Sequence, residues 1–153
     1  MHEATNKPPT TRVSFHPYCI GDKDTATYLT WESTAVKALE AAAGSEYGGR
    51  VKILKMDIEG WEWVVLPEVL KLAGVVGKER LLPQQVAVEV HLATHARYKV
   101  PGFTNNESRA VLPSGTRRLQ ELRVAMEAAG YTLVDRNDNP FCGHCSELLF
   151  AMV

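Results

Sequence analysis

The sequence predicts an α/β fold: a mostly parallel sheet with covered faces that closes on an antiparallel C-terminal hairpin. Three observations predict it. Strand-like apolar runs alternate with helical stripes over most of the chain, the pattern of a parallel sheet between helices. The last two strand-like runs follow one another directly, as hairpin strands do. The chain has 153 residues, enough for one domain with a real core and too few for two.

Residues 1–11 are polar, carry Pro8 and Pro9, and are expected to be a disordered segment ahead of a domain over 12–153. Val13, Phe15 and Tyr18 to Ile20 suggest a strand that Pro17 bends or confines to an edge. Gly21 to Asp24 is a turn by composition. Ala26 to Trp31 suggests a short strand. Ser33 or Thr34 then caps a helix to Ala43, stopped by Gly44, with Val36, Leu39, Ala42 and Ala43 at helical spacing.

Residues 44–49 read as a loop. Val51 to Met56 is a near-continuous apolar strand ending at Asp57. A helix follows from Glu59 or Gly60 to Leu66. Pro67 is costly inside a helix, which predicts a break and a second helix to Leu72. Gln85 to Leu92 is a strand with Val86, Val88 and Val90 on one face and Ala87, Glu89 and His91 on the other.

Residues 93–114 read as a long loop, a length usually associated with function. Ser114 or Thr116 caps a helix to Ala129, closed by Gly130, with Leu119, Leu122, Met126 and Ala129 as its stripe. Tyr131 to Asp135 is a strand, residues 136–140 a turn, and Ser146 to Val153 the final strand.

The net charge of -1 gives no electrostatic footprint for nucleic acid or an anionic membrane. No apolar run approaches the roughly 20 residues of a transmembrane helix, and the N-terminus has no signal-peptide core. A cytoplasmic location is the default expectation. Three cysteines, an odd and low count, argue against a disulfide scaffold.

In an open α/β sheet, ligands bind beyond the carboxyl ends of strands. Three polar sites fall at such ends: Asp22, Asp57 with Glu59, and Glu89 with His91. Two carboxylates before Gly60 can hold a metal, accept a proton or bind a cofactor's amino group. They can equally cap the following helix and complement its dipole. His91 is a candidate base or ligand, or simply a hydrogen-bonded histidine at a strand end. Asp22 can meet an adenine amino group or make a local Asx turn. Cys142-Gly143-His144-Cys145 matches a thiol-redox motif, but no helix follows it to activate a thiolate. A zinc site there needs two further ligands. No metal is assigned.

At this point LKMDIEGWEWVVLPEVL (residues 54–70) resembles the LK-D-EG-E signature of FkbM-like methyltransferases. It is closer still to a related eukaryotic methyltransferase-like domain family. VAVEVHL, the closing CSELLF and the CIGDKD turn resemble that family too, so the similarity spans about residues 12–153. The resemblance implies a Rossmann-like class I methyltransferase sheet that binds S-adenosylmethionine and passes its methyl group to an oxygen or nitrogen acceptor: a small molecule, a glycan or a protein. Residue by residue, it implies Gly21 and Asp22 near adenine and Asp57 near the transferred methyl, with Glu59 beside it. His91 or Asp57 would orient the acceptor.

The Gly-rich first strand–helix turn of that family has no counterpart here, and no GxGxG stands in the sequence. The chain therefore reads as a C-terminal portion lacking the first two strands. The expected residual order is strand four, five, seven, six, with an exposed strand-four edge open to self-association. Two alternatives stand beside a methyltransferase: a non-catalytic α/β interaction domain derived from one, and a CxxC thiol-redox module.

Overall fold

The computed structural model describes residues 16–43, 49–92 and 113–153. The expectations for residues 1–11, for Val13 and Phe15, for Gly44 and for most of 93–114 lie outside them. Among the described residues the fold is α/β, with three α-helices, one short 3-10 helix, a four-stranded sheet and a separate two-stranded parallel sheet.

The small sheet pairs β1 (Cys19–Ile20) with β2 (Tyr28–Leu29). Gly21 follows β1, and its N–H donates to the Leu29 carbonyl at 2.9 Å. A Cβ at Gly21 would lie 3.3 Å from the Tyr28 ring, so glycine lets the two strands close. Trp31, expected at the end of a strand, instead opens α1 (Trp31–Ala41). The cap is Thr30 rather than Ser33 or Thr34: its side chain accepts from the Ser33 N–H at 3.2 Å. Asp24 reinforces it, accepting from the Thr30 N–H and the Ser33 hydroxyl.

The main sheet runs β3 (Ile53–Met56), β4 (Gln85–His91), β6 (Cys145–Met152), β5 (Tyr131–Asp138). The expected mostly parallel sheet is in fact mixed. β3 and β4 are parallel, but β6 inserts between β4 and β5 and runs antiparallel to both. The C-terminal antiparallel hairpin is present. Residues 136–138, expected in its turn, belong to β5 because a register shift between Leu133 and Asp135 lets Arg136, Asn137 and Asp138 keep pairing with β6.

Helix α2 (Glu62–Leu70) departs from expectation twice. It begins late because Glu59 (φ 57°) and Gly60 (φ 101°) are both left-handed, and a right-handed helix cannot start until the chain has passed them. It also runs through Pro67 without a break. Pro67 forgoes one helical hydrogen bond, while Val65, Leu66 and Val69 on the same helix are at most 1% exposed and hold it to the core. Because Pro67 itself is exposed, Pro67→Ala is expected to stabilise the protein by about 1–2 kcal/mol, the helix-propensity gain less the lost rigidity of the unfolded chain. A raised urea midpoint would show it.

Helix α3 (Pro113–Ala128) starts at a proline, a residue suited to the first helical position. Ser114 and Thr116 lie inside it, so neither caps it. Gly130 (φ 89°) ends it as expected.

One core joins the buried residues of all three helices to a single face of the sheet: Leu54, Met56, Val86, Val88, Val90, Leu148, Phe150 and Tyr131. Tyr131 donates its hydroxyl to the Pro83 carbonyl at 2.7 Å, and burial pushes its pKa up to about 12. The opposite face is open among the described residues: Ile53 and Val134 are 54% and 59% exposed, and Lys55, Thr132, Asn137 and Glu147 are exposed beside them. No described helix is long and apolar enough to cross a membrane.

Candidate functional site

Parallel strands β3 and β4 end side by side, and their polar ends converge. The β3 chain continues into Asp57, Ile58, Glu59 and Gly60, whose left-handed turn reverses direction and launches α2. The β4 strand ends at His91. Donor atoms of Asp57, Glu59 and His91 lie within 4.8 Å of one another. Three expected site residues thus come together, and Asp57 does not cap the helix: the N-cap position is Trp61, with no side-chain cap bond.

The organising residue is Glu62, which sequence reasoning missed. It occupies the first turn of α2, is fully buried, and sets Oε1 2.8 Å from His91 Nδ1. The Ile58 N–H also donates to that oxygen at 3.2 Å. Oε2 has no hydrogen-bond partner among the described residues. The helix N-terminus favours a carboxylate at this position. With Nδ1 engaged by Glu62, the tautomer is fixed and Nε2 becomes the working nitrogen of His91. Nε2 faces Glu59 Oε2 at 3.7 Å. A signal for Glu62 exists in the sequence: a lone acid inside WEWVVL has apolar neighbours on every side.

Two more residues brace the histidine. Trp63 donates its indole N–H to the His91 carbonyl at 2.7 Å. Arg118 lies over the Trp63 ring, 5.9 Å from its centroid. Behind His91, Glu89 is 8% exposed and accepts from the Asn139 amide at 3.0 Å.

The electrostatics follow from this crowding. Burial of the His91 ring opposes its protonation. The hydrogen bond and charge of Glu62, with the charges of Glu59 and Glu89, outweigh burial and raise its pKa. For Asp57, partial burial and then the Glu89 charge raise the pKa, with Glu59 adding to them and His91 and Lys55 opposing. A proton is therefore readily held between these groups, and a cation or a proton-bearing acceptor would relieve their mutual repulsion.

Gly21 and Asp22 sit apart from this cluster, in the turn after β1. Asp22 is exposed and shares in none of the close groups of donor atoms.

The CxxC motif lies in the turn between β5 and β6. Cys142 and Cys145 are joined by a disulfide, so two of the three cysteines pair despite the odd count; Cys19 is free and exposed. A strand follows the motif, which leaves no helix dipole to activate a thiolate.

No protein-family model, no curated protein and no solved structure matches this chain.

Proposed function

We propose that this chain carries the acceptor end of an S-adenosylmethionine-dependent methyltransferase site, with methyl transfer to an oxygen or nitrogen nucleophile. The observation that carries the reading is the convergence of Asp57, Glu59 and His91 beyond the carboxyl ends of two adjacent parallel strands, where α/β sheets bind ligands. The sheet order β3-β4-β6-β5 supports it as well, since it matches the four, five, seven, six order that the methyltransferase resemblance implies.

In this reading His91 takes the acceptor's proton on Nε2, and Glu62 holds the ring and balances the charge that the ring gains. Asp57 and Glu59 orient the acceptor. Gly21 and Asp22 approach the adenosine. The methyl group comes from S-adenosylmethionine when that cofactor is bound.

No Gly-rich strand–turn–helix stands in the sequence, so this chain by itself is expected to bind S-adenosylmethionine only weakly, with a Kd on the order of millimolar. Titrating the cofactor into isotopically labelled protein tests this by NMR. The expected result is fast-exchange shift changes confined to Gly21, Asp22, Asp57 and the residues around His91. Changes spread elsewhere, or none at millimolar cofactor, would remove the assignment. Micromolar binding would overturn the view that the cofactor half is missing from these residues.

A non-catalytic interaction domain is the second reading. The open sheet face and the unpaired outer edge of β3 among the described residues favour it.

A further inference from the structure

The turn between β5 and β6 brings together more metal-binding atoms than a disulfide needs. Donor atoms of Cys142, His144 and Cys145 lie within 4.8 Å of one another, and the same limit joins Cys145 to Glu89 and His91. Two backbone features cause this. The antiparallel register sets Cys145 directly opposite His91, so the two side chains share a sheet face. The Leu92 N–H donates to the His144 carbonyl at 2.8 Å, which pins the turn over the end of β4.

We propose that this turn is a redox-gated zinc site with Cys142, His144, Cys145 and Glu89 as its ligands. The C-x-x-C spacing on a tight turn is that of structural zinc sites, and tetrahedral zinc sets its sulfur and nitrogen ligands roughly 3.3–3.8 Å apart. The His144 and Glu89 donor atoms, each within 4.8 Å of the Cys145 sulfur, close to that range by shifts of about an ångström, and the bonded sulfurs of Cys142 and Cys145 part to it on reduction. Glu89 takes the fourth position because both nitrogens of His91 already face carboxylates, Nδ1 toward Glu62 and Nε2 toward Glu59. Asn139 holds Glu89 by one carboxylate oxygen, the outer support that ligating carboxylates commonly have.

In the oxidised chain the two sulfurs are bonded to each other and do not ligate. A dithiol reductant of the thioredoxin class opens the site. Its two thiols become a disulfide, and two electrons and two protons pass to the sulfurs of Cys142 and Cys145. Zinc then displaces both thiol protons and binds the two thiolates.

Cobalt(II) substitution on the full chain tests the proposal. After reduction with a phosphine and removal of oxygen, cobalt should give a sulfur-to-cobalt charge-transfer band and the visible bands of a tetrahedral ion, at one equivalent, bleached by zinc. The oxidised chain should give neither. Cys142→Ser and His144→Ala should each weaken binding by more than about 100-fold, and Glu89→Gln by about tenfold or more. Cys19→Ser should leave the bands unchanged. Cys142 and His144 lie in the turn and Glu89 is buried on β4, so far-UV circular dichroism checks that each variant folds. Absence of the charge-transfer band in the reduced chain would overturn the proposal, as would its loss in Cys19→Ser with retention in Cys142→Ser. Retention in Glu89→Gln with loss in His91→Ala would overturn the assignment of the fourth ligand.

Discussion

Glu62→Ala is expected to destabilise the protein by about 3–5 kcal/mol, the usual cost of removing one partner from a buried charged pair. Glu62 is fully buried, and the substitution strips His91 Nδ1 of its acceptor while the ring stays in place. Glu62→Gln is expected to cost less, about 1–2 kcal/mol, because an amide oxygen still accepts from Nδ1–H. The pair also makes stability depend on pH. The folded-state pKa of His91 is raised above its ordinary value of 6.5. Its contribution is therefore fully present below 6.5 and is lost as pH rises through the higher folded value. Wild-type protein should lose stability as pH rises from 6.5 through the raised folded value, and Glu62→Gln should flatten that decline. Urea denaturation across the range reads both effects. A Glu62→Ala midpoint equal to wild type at every pH would show that the pair contributes nothing.

Phe150→Ala is the second large effect expected, at about 3–5 kcal/mol. Phe150 is 1% exposed on β6, the strand with neighbours on both sides, directly opposite Val86 and Leu133. Truncation leaves a cavity where two strands and the helical layer meet. A domain of this size has a total stability of only about 5–15 kcal/mol, so the melting temperature should fall by roughly 10 °C or more. Val134→Ala, on the open face of neighbouring β5 and 59% exposed, should change stability by no more than about 0.5 kcal/mol. Thermal melts of the two variants test whether the core lies on one side of the sheet. Equal losses would contradict it.

What the sequence disclosed tracks how local each determinant is. The strand ending at Asp57, the strand ending at His91 and the stripe of α3 were legible because burial imposes a period on neighbouring residues. Leu122 and Met126 are buried as that stripe requires, and Gly130 stops the helix in the left-handed conformation that glycine permits. The convergence of Asp57, Glu59 and His91 was legible as well, because parallel strands bring their carboxyl ends to one edge.

The rest depended on partners distant in sequence. Thr30 is a cap because Asp24 fixes it from six residues away. Pro67 stays in its helix because the core holds both sides of it. Residues 136–138 remain strand because β6 supplies pairing partners beyond the register shift. Glu62 stands out in the sequence only as an acid among apolar neighbours. Its role depends on His91, 29 residues later in the chain. The fold was thus read more fully than the site, whose central contact is tertiary.

The Trp63 indole gives the site a built-in optical reporter. Its N–H touches the His91 carbonyl and its ring lies beneath the Arg118 guanidinium, so its excited state feels the charge on the histidine. Trp31, buried in the core and bonded to the Leu81 carbonyl, sits in a different environment and answers to global unfolding instead. With Trp61 replaced by phenylalanine, emission colour and intensity can therefore separate a change of protonation at the site from loss of the fold in a single titration.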